Sequence, residues 1–277
     1  MTLNKEEPVK ERISILALAL LAIVCMSVNS QAQLLPPNAA GVTMGHLHMT
    51  TPNMEAAKKV FETMGGVVTK REGGADIVKF PGVLVFFREG EPTGPTVGSV
   101  VNHIGFLVPN TQAAIAKWKA AGLNAAMGGN NRTDQGFVTT PEGVRIEILE
   151  DKAQTVPIRS HHVHFNVSES AIPEIQAWYA KFFGAKPGMR GRNQAADVPG
   201  ENLTFSKADT PAVPTEGRAL DHIGFEIKNL EAFCKMLEAA GIKLDRAYGH
   251  TASGLGIAFV TDPWGTRIEL NEGLDKL

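Results

Sequence analysis

Seven of the eight histidines in this 277-residue chain fall in four short apolar stretches. These read GHLHMTTPN from Gly45, NHIGFLVPN from Asn102, HHVHFNVSE from His161 and DHIGFEIKN from Asp221. Aligned on the residue seven places downstream (Asn53, Asn110, Glu169, Asn229), His46, His103, His162 and His222 share one register. Imidazole is the commonest protein metal ligand, so histidines at matching positions of repeated strands point to a metal-binding cavity. The endings TTPEGVRIEIL and TDPWGTRIEL put Glu147 and Glu269 in one position as well. Two imidazoles and a carboxylate occupy one face of a metal and leave positions open for water, substrate or O₂. The same set suits Zn²⁺ when a water completes it. If neighbouring units pair, His46, His103 and Glu147 converge on one cavity, and His162, His222 and Glu269 on a second. Alternate strand residues face one way. His48 and His164 therefore point into the same cavities as candidate acids or bases, and Gly105 and Gly224 leave room for a substrate opposite them. Arg145 and Arg267 share faces with the glutamates, as strand-end salt bridges or as anchors for an anionic substrate.

The elements that must carry these residues repeat too. Each histidine stretch leads into a helix-patterned run closed by Gly65, Gly122, Gly184 or Gly241, at 19, 19, 22 and 19 residues from its histidine. Glycine suits a helix C-terminus because the chain there turns left-handed. Apolar residues recur at helical spacing, as in Leu230, Phe233, Cys234 and Leu237, or Ile115 and Trp118. Trp118, Trp178, Tyr179 and Phe182 are expected to pack helices onto sheets. Short β-rich runs follow each glycine, so the spacing predicts four βαβββ units and an α+β fold. Shifts of 116, 119 and 122 residues map His46 onto His162, His103 onto His222 and Glu147 onto Glu269. The proline-rich connectors EPTGP and TPAVP repeat likewise. Two domains follow from this, residues 43–150 and 158–273, joined near Asp151 to Pro157.

The N-terminus lies outside this repeat. Lys10 and Arg12 precede an apolar run from Ile13 to about Val28, and Ser30-Gln31-Ala32 supplies small residues. Residues 1–32 read as a secretory signal peptide, which places the mature chain in the periplasm or outside the cell. An uncleaved membrane anchor is the alternative. Net charge is −2 and no basic cluster stands out, so neither nucleic acid nor an anionic membrane is an expected partner. Of two cysteines only Cys234 would survive cleavage, on the apolar side of a helix, as an inert core thiol.

The histidine register, the βαβββ-like units and the PxGxRIE endings together resemble the vicinal oxygen chelate superfamily. It includes glyoxalase I, extradiol dioxygenases, fosfomycin-resistance transferases and bleomycin-binding proteins. The resemblance runs from about Thr43 to Glu272. It implies paired βαβββ modules, each pair a cupped mixed sheet with outer helices, around a divalent metal that acts on a small-molecule substrate. Glyoxalase I takes a fourth ligand from the end of its odd-numbered unit. The matching places here are Phe86 and the Leu203–Phe205 stretch, which cannot bind metal. The extradiol signature is approached in unit four by His250, Asp262-Pro263, Gly265 and Glu269, but Phe259 stands where that signature has tyrosine. The resemblance thus favours a dioxygenase-like enzyme using Fe²⁺, with Mn²⁺ or Zn²⁺ also suited. His250 is its candidate proton donor, beside His164 and His48. Oxygen-independent isomerases, lyases or transferases, and a non-catalytic small-molecule or metal-binding protein, are the other classes.

Overall fold

The computed structural model describes residues 34–71 and 76–277. The export segment expected at residues 1–32 lies outside them. Unit one comprises β1 (Val42–Thr51), α1 (Met54–Met64), β2 (Val67–Thr69), β3 (Ile77–Phe80) and β4 (Val83–Glu89). Unit two comprises β5 (Val101–Val108), α2 (Thr111–Ala120), β6 (Asn124–Met127), β7 (Gln135–Thr139) and β8 (Arg145–Glu150). Unit three runs through β9 (Arg159–Val167), α3 (Ile172–Phe183), β10 (Lys186–Arg190), β11 (Asn193–Val198) and β12 (Glu201–Lys207). Unit four runs through β13 (Leu220–Ile227), α4 (Leu230–Ala239), β14 (Arg246–His250), β15 (Gly256–Thr261) and β16 (Arg267–Glu272). No helix among the described residues is long and apolar enough to cross a membrane.

The repeated strand-to-helix corners have a local cause. Asn53, Asn110 and Asn229 are N-caps whose side chains accept from the backbone N–H of Ala56, Ala113 and Ala232. Each thereby satisfies a donor that the first helical turn leaves free. Gly65, Gly122, Gly184 and Gly241 all adopt left-handed φ at the helix ends, as their spacing implied.

The units pair in an order that the sequence did not reveal. Sheet I runs β14-β15-β16-β13-β1-β4-β3-β2 and sheet II runs β10-β11-β12-β9-β5-β8-β7-β6. Unit one therefore joins unit four, through antiparallel β1 and β13, while unit two joins unit three through antiparallel β5 and β9. The expected segments 43–150 and 158–273 each contribute half of both sheets. Their presumed linker, residues 151–157, instead joins two units of sheet II. The true crossovers are the proline-rich connectors, which lie alongside one another. Val100 N–H donates to Val213 O, Val213 N–H to Gly98 O and Ala219 N–H to Gly94 O. A long connector lets units one and three cross between sheets, whereas the short 151–157 stretch holds unit three beside unit two.

One hydrophobic core lies between the helices and sheets of both halves. It includes Trp118, Tyr179 and Phe182 as expected, and Phe183 of α3 packs against Phe225 of β13 with ring centroids 4.8 Å apart. Tyr179 Oη, fully buried, donates to Asp262 Oδ2 at 2.9 Å and so ties unit three to the last turn of unit four. Cys234 is a free, buried thiol that burial pushes up to about 11, in keeping with an inert core residue.

Candidate metal centres

Each sheet curves so that the histidines of two units share one concave face. In sheet I, His46 stands opposite Gly224 and His48 opposite His222 across the β1–β13 ladder, while Gly224 stands beside Glu269. In sheet II, His162 stands opposite Gly105 and His164 opposite His103, with Gly105 beside Glu147. Two clusters result: His46, His48, His222 and Glu269, with ligand atoms all within 4.8 Å of one another, and His103, His162 and His164, similarly close, against Glu147. The expected triads are thus recombined. His46 meets His222 and Glu269, and His162 meets His103 and Glu147, because strand pairing rather than chain order decides which imidazoles converge.

The glycines do a different job from the one expected. A Cβ on Gly224 would overlap the His46 ring, and one on Gly105 the His162 ring. The space opposite β1 and β9 is filled by these imidazoles, not kept free for a substrate. Only a residue without a side chain lets a ring lie flat over the neighbouring strand.

In sheet I, Glu269 Oε2 is 2.8 Å from His222 Nε2 and 3.4 Å from His46 Nε2, and its Oε1 accepts from Asn271 at 2.8 Å. Asp221 Oδ1 holds His222 Nδ1 at 2.6 Å. Asp221 is itself held by Gly217 N–H at 2.7 Å, Arg88 at 2.9 Å and Arg267 at 3.2 Å. Burial would lower the His222 pKa, but these two carboxylates outweigh it and raise it. A metal bound at this cluster would take the place of any proton on His222 Nε2. Desolvation instead lowers His46, and lowers His48 well below the usual histidine range, keeping both neutral. Glu269 stays ionised against its burial because His46 and His222 flank it.

Sheet II repeats this plan with substitutions. Glu147 Oε2 lies 3.0 Å from His162 Nε2 and 3.5 Å from His103 Nε2, and Gln135 donates to the other oxygen. Asn102 stands where Asp221 does and meets His103 Nδ1 at 2.9 Å. His161 is half-buried at a β-bulge with Nδ1 2.9 Å from His162 Nδ1. Burial lowers it to about 4 and His164 to about 3. His164 Nε2 bonds Ser206 Oγ at 2.7 Å, leaving Nδ1 free.

These centres fit a divalent cation. Both ring nitrogens of His46 and His48, Nε2 of His103 and His162, and Nδ1 of His164 are buried without a hydrogen-bond partner. Such orphans are rare in folded proteins, and here they cluster around ionised carboxylates. The buttressing of His222 by Asp221 and of His103 by Asn102 fixes each ring with Nε2 turned to the cluster, as partners beyond the ligands commonly do. Asp221 and Asn102 were missed in the sequence, although a polar residue precedes the histidine in both even-numbered units.

The remaining candidates separate. His250 lies at the exposed end of edge strand β14, 3.3 Å from Tyr248 Oη. It pairs with Gly256, whose missing Cβ would point at Leu230 of α4. His250 is thus on the helix-bearing face, opposite to Glu269, and is not part of the centre. A register shift between Arg246 and Gly249 turns it there. Arg267 forms the expected strand-end ion pairs, with Glu216 at 3.1 Å and Asp221. Arg145 instead lies over the Phe137 ring at 4.2 Å. Phe86 stacks on His46 at 4.6 Å, and its counterpart beside His164 is Thr204. Neither supplies a fourth ligand.

The family model of the Glyoxalase/Bleomycin resistance protein/Dioxygenase superfamily matches residues 160–270. No curated protein matches the sequence significantly. Among solved structures, glyoxalase I from Zea mays aligns over 85% of this chain and 94% of its own, with TM-score 0.65 and 16% identity. A putative dioxygenase from Bacillus subtilis aligns over 83% of this chain and 85% of its own, with TM-score 0.61 and 13% identity. Likeness at such identity establishes the fold.

Proposed function

We propose that this chain, whose residues 160–270 match the model of the Glyoxalase/Bleomycin resistance protein/Dioxygenase superfamily, is a divalent-metal-dependent enzyme acting on a small oxygen-bearing substrate. His46, His222 and Glu269 would hold one metal, and His103, His162 and Glu147 a second. The observation that carries this reading is the set of buried, partnerless imidazole nitrogens gathered at an ionised glutamate in both sheets. A bound divalent metal supplies Lewis acidity and a template for two adjacent substrate oxygens. The three-ligand set leaves positions open, which favours the dioxygenase-like branch and Fe²⁺, with Mn²⁺ or Zn²⁺ as alternatives.

The chain's own groups supply the rest. Asp221 and Asn102 keep His222 and His103 in the tautomer with Nε2 facing the cluster. His48 and His164, half-buried and neutral, accept a proton from a substrate hydroxyl, His48 at either ring nitrogen and His164 at Nδ1. Phe86 and Phe259 exclude water from the sheet I centre. Export to the periplasm or beyond belongs to the proposal too, on the strength of residues 1–32.

Metal-stripped protein titrated with Fe²⁺ anaerobically, and with Mn²⁺ and Zn²⁺, is expected to take up two equivalents per chain. His222→Ala and His103→Ala should each lose one. Unchanged uptake in both variants would overturn the reading. Turnover that requires O₂ separates the dioxygenase-like branch from an isomerase, lyase or transferase, and binding without turnover points to a sequestering protein.

A further inference from the structure

We propose that the cup of sheet II selects a substrate bearing a carboxylate or phosphate beside its metal-binding oxygens, and that Arg190 holds that group. This rests on the metal-enzyme reading above. Arg190 closes β10, and its guanidinium lies 3.6 Å from Glu147 Oε2 with the side chain 22% exposed. The register places it on the histidine face. Gly188, two residues earlier, pairs through Ala195 with Thr204, which stands beside His164. A Cβ on Gly188 would meet nothing within 4 Å, so the strand leaves open space next to Arg190.

Arg190 also lines a cavity of about 450 Å³ with Arg159, His161, Asn202 and Asp197. His161 and Asn202 connect that cavity to the centre, His161 by its bond to His162 and Asn202 by standing beside His162 in the β12–β9 ladder. Of the other charges on this wall, Arg159 is paired with Asp151 at 3.4 Å, Asp197 accepts from the Asn202 amide, and Glu201, bonded by Ser160, is pushed up by burial to about 8.

Charge decides the ligand class. Glu147 is the carboxylate shared by His103, His162 and Arg190. A divalent cation there leaves one negative charge facing two positive charges and a guanidinium. An anionic oxygen group neutralises that excess, and the planar fork of arginine matches carboxylate and phosphate oxygens.

Among the described residues, sheet I lacks this arrangement. Arg71 follows Gly65 by six residues, as Arg190 follows Gly184, but it lies over the Phe86 ring at 5.7 Å from its centroid. Phe86 in turn covers His46. The first cup is walled by an aromatic ring where the second carries Thr204.

The test uses the full chain with the sheet I centre disabled by His222→Ala, loaded with Mn²⁺ and titrated calorimetrically. Glycolate chelates through a hydroxyl and one carboxylate; tartronate adds a second carboxylate, and 3-phosphoglycerate adds a phosphate. Tartronate or 3-phosphoglycerate is expected to bind at least tenfold tighter than glycolate. Arg190→Gln should abolish that preference, Arg190→Lys should keep part of it, and Arg71→Gln should leave it intact. Arg190→Gln should weaken tartronate and 3-phosphoglycerate binding at least tenfold more than it weakens glycolate binding. A preference that survives Arg190→Gln, or that is absent from the parent protein, overturns the proposal. Failure of the parent protein to bind Mn²⁺ would overturn the metal reading itself, and is read in a separate titration.

Discussion

At the scale of single residues, the centres depend as much on what is missing as on the ligands. Gly224 and Gly105 lie under imidazoles that no other residue would accommodate. Gly224→Ala must push the His46 ring off the strand, an overpacking that costs about 1–3 kcal/mol where it cannot relax. We expect this variant to stay folded by circular dichroism and to lose the sheet I metal equivalent while keeping that of sheet II. Retention of both equivalents would show that the ring has room to move. Asp221 belongs to the same scale. Its four partners hold a charge that would otherwise be costly to bury, and that charge orients His222. Asp221 could be found in the sequence as the residue before His222, but its partners Arg88 and Arg267 come from β4 and β16, where only the fold brings them near.

At the scale of elements, each strand-to-helix corner is self-contained. An asparagine seven residues after His46, His103 and His222 caps the helix in units one, two and four. In unit three Glu169 stands at that position, within a short 3₁₀ turn, and α3 begins three residues later. This explains the longer histidine-to-glycine spacing of that unit. Loss of an asparagine N-cap costs about 1 kcal/mol. Asn229→Ala is therefore expected to lower the melting temperature by about 2–4 °C without changing metal content, which thermal denaturation and metal analysis would check. A lowered metal content would mean that the cap also positions β13. His250 shows where element-level reading fails. Its place between helix and final strand was legible, but the register shift in β14 turned it to the other face.

At the scale of the whole molecule, the two sheets are built by exchange. Residues 43–150 contain β1 and β5, whose partners β13 and β9 lie in the other half of the chain. Expressed alone, that segment would keep β1 beside β4 and β5 beside β8 but leave one long edge of each apolar strand unpaired, which invites association. We expect it to aggregate, or to pair with a second copy, rather than form a folded monomer by size-exclusion chromatography and circular dichroism. A well-folded monomer would mean that β1 and β5 can pair with each other, as chain order first suggested. The full chain avoids this because the crossover connectors and the buried Tyr179–Asp262 bond close both sheets over one core.

The sequence by itself determined the unit, the register and the residue types of the centres. Caps, terminal glycines and strand alternation are local, and each can be read within about twenty residues of a histidine. The donor set of two imidazoles and a carboxylate was legible for the same reason, as was its repetition. What only the tertiary structure decided is which units share a cup. All four units present similar apolar strands with a histidine in one register, so strand pairing can be satisfied by more than one partner. The lengths of the connectors and the packing of one common core select units one with four and two with three. That choice assigns His46 to Glu269 and His162 to Glu147, turns His250 away, and brings Arg190 to the second centre.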